Sequence, residues 1–324
     1  MPKTYASQTV WRDMQTFLPP DFQWPADRHP HEEWWRWQGH LLHLDTYRNP
    51  QAPVKVILFH GVGTNGRQMS MILGEQLARR GYETIAVDMP EYGMTEVAKG
   101  APVRYDDWVR AGSDLVDAER AKDARPIVLY GLSAGGMLTY HVAATSRNVK
   151  GVVGMTFLDQ RIQQVRDETA RNRFMSRVGG PMMGLAVKTP FKRLRVPMSL
   201  ASKMSALVND DDALKVWLSD PRSAGNAMTI AFLDSYMSYR PAVEPDAFDV
   251  CPILLTQPAA DRWTPLHLSE LFLARIRRVP VKVVMLENAG HYPLEEPGLS
   301  QMVDAIDAFY RDVALRSSAV RNCR

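Results

Sequence analysis

Short apolar runs recur along the chain with helical patterns between them, the arrangement left by strand–helix units that build a mostly parallel sheet. Residues 54–59, Val-Lys-Val-Ile-Leu-Phe, read as a buried strand; a glycine-rich turn follows, then a helix over about 68–80 closed by Gly81. Residues 84–87 predict the next strand. After a loop comes a helix that Asp106 is placed to cap, with Trp108, Val109, Leu115 and Val116 as its apolar positions. The run at 126–130 enters Gly131-Leu132-Ser133-Ala134-Gly135-Gly136 directly, with a helix beyond. Residues 152–158, 253–256 and 281–286 read as further strands. Met302, Val303, Ile306, Phe309, Tyr310 and Val313 share one face of a last helix over about 299–315. Upstream, 34–37 and 40–47 flank Gln38-Gly39 as an antiparallel hairpin.

Between about 159 and 250 this alternation lapses over a stretch too long for an ordinary loop, which predicts a helical cap inserted over one end of the sheet. The chain thus divides into an N-terminal extension (1–33), an α/β core (34–158 and 251–315), the cap (159–250) and a short tail (316–324). Five of the eight tryptophans lie at or before Trp37, so the extension is expected to pack on the body. No apolar run approaches the ~18–20 residues that span a bilayer, and Met1-Pro2-Lys3-Thr4-Tyr5 leads into polar sequence, so a cytoplasmic protein is expected. Two cysteines, Cys251 and Cys323, are too few for a disulfide framework or a structural zinc site, and packing accounts for Cys251.

A net charge of +3 gives no case for nucleic acid as a partner. It conceals an asymmetry, because residues 161–203 hold ten Lys or Arg against only Asp167 and Glu168. Seven of the 17 methionines fall in the cap, and Phe191-Lys192-Arg193-Leu194-Arg195 sets bases beside apolar residues. One reading is a mobile cap that touches an anionic membrane surface weakly. The other is a solvated basic face over ordinary core methionines.

The Gly-x-Ser-x-Gly pattern gains meaning from its place between a strand and a helix. Ser133 would stand on a strained elbow that needs small neighbours, its hydroxyl clear of the sheet and near a helix N-terminus that favours negative charge. A serine hydroxyl is a weak nucleophile; it needs a base, and the base needs an orienting acid. Among the eight histidines, His291 alone follows a late strand in a loop, whereas His141 reads as a packed or solvated helix residue. Asp261, after the strand at 253–256, and Asp159, after the strand at 152–158, compete as the acid, with Asp261 preferred. The backbone N–H groups of Ala134 and, in the loop His60-Gly61-Val62-Gly63, of Val62 are placed to hold an oxyanion. That loop has a rival reading: Gly61, Gly63 and Gly66, with Asp88 further on, match a dinucleotide fingerprint. It leaves Ser133, Asp261 and His291 without a role. A phosphate loop needs Lys-Ser or Lys-Thr where this chain has Arg67.

The order Ser133, Asp261, His291, each at a strand end, resembles the α/β-hydrolase superfamily over about residues 34–315. Phe59-His60-Gly61-Val62-Gly63, Val87-Asp88-Met89-Pro90-Glu91-Tyr92-Gly93-Met94-Thr95, Gly131-Leu132-Ser133-Ala134-Gly135-Gly136, Asp261-Arg262-Trp263-Thr264-Pro265 and Ala289-Gly290-His291-Tyr292-Pro293 look most like its monoacylglycerol lipase and lysophospholipase-like group. The resemblance implies a mostly parallel sheet flanked by helices, a helical cap, and an acyl-enzyme on Ser133 with no metal or organic cofactor. His60 and Gly61 would support the oxyanion loop. The implied substrate is a small-molecule carboxylic ester, lipid-like or an acylglycerol. Amide, thioester or carbon–carbon cleavage, acyl transfer, and a non-catalytic binding protein on the same fold are the alternatives, and the oligomeric state stays open. Serine at the elbow argues against the epoxide-hydrolase and dehalogenase branches, which use aspartate there. Glu91 departs from the glycine that relatives commonly carry in the loop from Asp88 to Gly93.

Overall fold

The computed structural model describes residues 2–25 and 27–322. Its strands are β1 (His31–Trp37), β2 (His40–Tyr47), β3 (Lys55–Phe59), β4 (Glu83–Val87), β5 (Ile127–Gly131), β6 (Val149–Gly154), β7 (Arg195–Pro197), β8 (Ala227–Thr229), β9 (Ile253–Pro258) and β10 (Val281–Leu286). Eight of them form one sheet in the order β1-β2-β4-β3-β5-β6-β9-β10. β1 and β2 pair antiparallel, β2 meets β4 antiparallel, and every pair from β4 to β10 is parallel. Continuous apolar runs become the central strands, buried on both faces, as a parallel sheet between helical layers requires. The edge strand β10 exposes Val283 and Met285.

Several boundaries move for identifiable reasons. The helix expected over 68–80 starts at Gly66, where Asn65 and Gln68 form a reciprocal capping box, and it passes through a π-helical turn at Ser70–Gly74. Asp106 does not cap the helix Tyr105–Lys122; Asp107 does, accepting the Arg104 N–H at 2.8 Å. β6 stops at Gly154 and not at 158. The Phe157 ring folds over Gly154, where a Cβ would lie 2.6 Å from its Cζ, and the Phe157 N–H donates to Ser269 Oγ instead of a neighbouring strand. The final helix runs Gly298–Asn322 and absorbs most of the expected tail. Cys251 is buried, and Cys323 lies outside the described residues.

Over 159–250 no segment joins the central sheet. Short helices dominate, but the stretch is not purely helical: Arg195–Pro197 pairs antiparallel with Ala227–Thr229 in a small ribbon. The N-terminal extension packs on the body, burying Tyr5, Trp11, Met14, Phe22 and Trp24, and gives way to the sheet at His31 rather than 34. Among the described residues no helix is long and apolar enough to cross a membrane.

Beneath that extension lies a buried ion network. His43 Nε2 is 2.9 Å from Glu32 Oε2, and Nδ1 is 3.0 Å from Asp88 Oδ2. Burial alone would lower the pKa of His43, but the two carboxylates outweigh it and push it up to about 10. Unfolded, a histidine titrates near ~6.5. The folded state therefore holds a proton that the unfolded chain has released, so the contribution of His43 is complete below about 6.5 and lost as pH rises through about 10. Unfolding free energies from urea titrations should fall across that window by up to roughly 1.4 kcal/mol per pH unit from this group, and His43→Gln should flatten the fall. A wild-type-minus-variant difference that stays constant with pH would contradict a charged His43.

Candidate active site

β5 delivers Ser133 to the carboxyl end of the sheet, and the helix Ala134–Ser146 leaves from it. Ser133 adopts φ 58°, ψ −125°, a region that side chains rarely enter and that costs on the order of 1–3 kcal/mol. Close backbone packing enforces the elbow. A Cβ on Gly131 would lie 2.0 Å from the Gly135 carbonyl oxygen, and one on Gly61 would lie 2.8 Å from Ser133 Cβ. The second contact shows why the loop after β3 needs glycine there: it packs against the serine.

Asp261 and His291 come together on the loops after β9 and β10. Asp261 Oδ2 is 2.9 Å from His291 Nδ1, and both side chains are buried. Thr264 Oγ1 donates to the same oxygen at 2.7 Å, while the N–H groups of Trp263 and Thr264 donate to Oδ1 at 2.7 and 2.8 Å. Burial would raise the Asp261 carboxyl, but His291 and these donors hold it down at about 2. With Nδ1 committed to the carboxylate, Nε2 is the free face of the ring; it is buried and without a protein partner among the described residues. The Trp263 ring packs on His291 at 4.7 Å, and Trp263 lines the same cavity as Ser133. No hydrogen bond links Ser133 to His291.

Asp159 does not reach the histidine. Its carboxylate is taken by Arg161, at 2.7 Å, and by the Arg161 N–H, and Arg161 continues to Glu244. His141 is buried on the helix after Ser133, bonded to Tyr105, and burial drives its pKa down to about 3.

Val62 and Ala134 line the cavity beside Ser133, and neither N–H donates to an acceptor among the described residues. His60, fully buried, holds this loop: Nδ1–H donates to the Gly61 carbonyl at 2.7 Å and Nε2 accepts the Met89 N–H at 3.0 Å. Burial keeps its pKa low, consistent with that neutral tautomer. Tyr92 O–H donates to the Val62 carbonyl at 2.8 Å. Tyr92 and Thr264 are supporting groups whose motifs are visible in the sequence but whose bonds are not. The dinucleotide reading fails on the same geometry. Asp88 is fully buried and saturated by Tyr5 O–H and the N–H groups of Gly66 and Met94, so it offers no free edge to a ribose. Glu91 takes φ 75°, and its Oε1 lies 3.0 Å from Arg195 on β7, tying the loop after β4 to the 159–250 segment.

The cavity over Ser133 has about 820 Å³ of empty space, open in part to solvent, with Leu158, Met175, Met183, Met198 and Leu233 among its walls.

A sequence model of the Alpha/beta hydrolase family matches residues 56–304. The chain belongs to that family. This alpha/beta hydrolase resembles, in structure, a soluble variant of monoglyceride lipase from Saccharomyces cerevisiae (TM-score 0.71, 15% identity, 89% of this chain and 97% of that one). It also resembles the monoacylglycerol lipase of Paleococcus ferrophilus (0.64, 18%, 84% and 98%) and a hypothetical protein of Pseudomonas aeruginosa (0.67, 17%, 91% and 98%). At such identities the likeness concerns the fold. No curated protein matches the chain in sequence.

The pairing of this hydrolase's histidine can be tested directly by NMR. A deshielded His291 ring-proton resonance should be present in the wild type and in Asp159→Asn, and should vanish or shift strongly upfield in Asp261→Asn. The reverse pattern would transfer the acid to Asp159.

Proposed function

We propose that the protein is a cytoplasmic serine hydrolase that cleaves carboxylic esters with lipid-like or acylglycerol acyl groups through an acyl-enzyme on Ser133. The observation that carries this reading is the strained Ser133 elbow at an apolar cavity whose wall includes Trp263, the ring packed on His291 of the Asp261–His291 pair. Ser133 Oγ attacks the ester carbonyl as His291 Nε2 takes its proton, forming a tetrahedral oxyanion held by the N–H groups of Val62 and Ala134. Asp261 fixes the ring tautomer and stabilises the imidazolium. The C–O bond then breaks, and the alcohol leaves with the proton from His291. Water, deprotonated by His291, attacks the acyl-enzyme and releases the acid and free Ser133. On this reading a hydrogen bond from Ser133 to His291 forms when substrate fills the cavity.

Support for an acyl chain comes from the cavity wall. Residues 159–250, which we read as the cap over a core of 34–158 and 251–315, set Met175, Met183, Met198 and Leu233 around Ser133, and flexible thioethers suit chains of variable length. Support for weak contact with an anionic membrane comes from the outside of the same segment. Phe174, Met182, Leu185, Phe191 and Leu194 are exposed among Arg173, Arg177, Lys188, Lys192 and Arg193.

Ser133→Ala should leave the melting temperature near that of the wild type and cut ester hydrolysis by roughly a thousandfold or more. Residual activity above a few per cent would remove Ser133 as nucleophile. Wild-type rates on p-nitrophenyl esters of two to sixteen carbons should rise beyond acetate; a steady fall would remove the lipid-like acyl group. Co-sedimentation with anionic vesicles should exceed that with neutral ones at low salt and fade at 1 M, where the Debye length is about 3 Å. Equal binding to both lipids would remove the membrane contact.

A further inference from the structure

The family match begins at residue 56, yet a buried node inside the matched region is completed by residue 5. Tyr5 is fully buried, and its hydroxyl donates to both oxygens of Asp88 at 3.1 and 3.0 Å. The same carboxylate accepts the Gly66 N–H at 2.7 Å and the Met94 N–H at 2.8 Å. Those N–H groups belong to the two loops, 60–66 and 88–94, that shape the oxyanion side of the site. The loops meet again where Tyr92 O–H bonds the Val62 carbonyl and His60 Nε2 accepts the Met89 N–H. Asp88 is therefore the joint between them, and Tyr5 is the donor that reaches it from outside the family core.

The rest of the N-terminal extension holds Tyr5 there. Trp11 Nε1 donates to the Tyr5 carbonyl at 2.9 Å, and the Tyr5 N–H donates to Glu32 at 2.9 Å. The Arg67 guanidinium, bidentate to Asp45 at 2.6 and 2.8 Å, lies 4.4 Å from the Tyr5 ring and 5.0 and 5.5 Å from those of Trp11 and Trp24. The extension thus supplies the aromatic faces for a buried cation on the helix that follows the oxyanion loop. It also reaches the 159–250 segment. Gln8 donates to Asp220 at 3.0 Å, and Phe17 packs on Trp217. Gln68, next to Arg67, touches Met14 and Ser223 and accepts at its carbonyl from Tyr292, the neighbour of His291.

We infer that residues 3–24 form a strap that sets the oxyanion loop from behind, with Tyr5 acting through Asp88 as a positioning residue. Tyr5 does not line the cavity over Ser133. Without its hydroxyl, Asp88 loses one of the donors that fix it, and the Gly66 and Met94 N–H groups lose a rigid acceptor. The consequence for turnover rests on the serine-hydrolase reading above; the consequence for the loops does not.

Tyr5→Phe is the informative variant, because the ring that packs on Arg67 stays. Hydrogen–deuterium exchange should quicken in 60–66 and 88–94 and stay unchanged in β5 and β9. In the same variant kcat should fall about tenfold with KM within about twofold, and affinity for a boronic-acid transition-state analogue should fall by the same factor as kcat. Trp11→Phe, which loses the indole N–H to the Tyr5 carbonyl and part of the ring beside Arg67, should shift both readouts in the same direction by less, and it serves if Tyr5→Phe fails to fold. Unchanged exchange in both loops overturns the strap. So does a lower melting temperature with kcat and analogue affinity intact, which would make Tyr5 merely structural. If Ser133→Ala retains activity the serine reading fails, and the exchange result still decides the strap.

Discussion

The site depends on one backbone conformation, Ser133 at φ 58°, ψ −125°. Such a residue persists only where its surroundings over-determine it. Here they do: β5 is buried on both faces between β3 and β6, and the helix leaving Ser133 packs against that sheet. Main chain crosses main chain so tightly that Gly135 could not carry a Cβ without meeting the Phe59 carbonyl oxygen at 2.5 Å. The strain sets Ser133 at the wall of the cavity with Ala134 beside it, at the start of a helix whose dipole favours negative charge. The parallel sheet acts as the clamp that holds the serine, and the loops after β3, β9 and β10 are arranged around that fixed point.

Two buried electrostatic arrangements then divide the work. Asp261 stays ionised because three donors and His291 offset its burial, which leaves the histidine with a single orientation. On the far side of the loop after β3, His43, Asp88, Asp45 and Arg67 form alternating charges roofed by Tyr5, Trp11 and Trp24. An unpaired member of either set would be costly in so dry a place, so each set is rigid as a whole. One set orients His291; the other fixes the loop that carries the Val62 N–H.

Much of this was legible in the sequence, and the misses share a cause. β3, β5 and β10 announce themselves as short apolar runs ending in loops with Gly61, Ser133 and His291, so strand ends and chemistry could be read together. The run at 152–158 misled because Met155, Phe157 and Leu158 stay apolar after the chain has left the sheet; the sequence carries no mark of Phe157 folding back on Gly154. That overshoot also made Asp159 look like a strand-end acid, when it serves Arg161. The tryptophans before residue 38 showed that the extension would be buried, but Arg67, which Trp11 and Trp24 cover, is distant in sequence and contributes nothing to a local pattern. Glu91 was visible as a departure from related loops, and its explanation, Arg195, lies more than a hundred residues away.

The central claim is that Ser133, activated by His291, is the nucleophile. Peptide mapping by mass spectrometry after reaction with a fluorophosphonate tests it most directly. The account predicts a single stoichiometric adduct on Ser133, formed by the native enzyme and abolished by His291→Ala or by prior denaturation. An adduct on another residue, or none on Ser133 in the folded wild type, would contradict it.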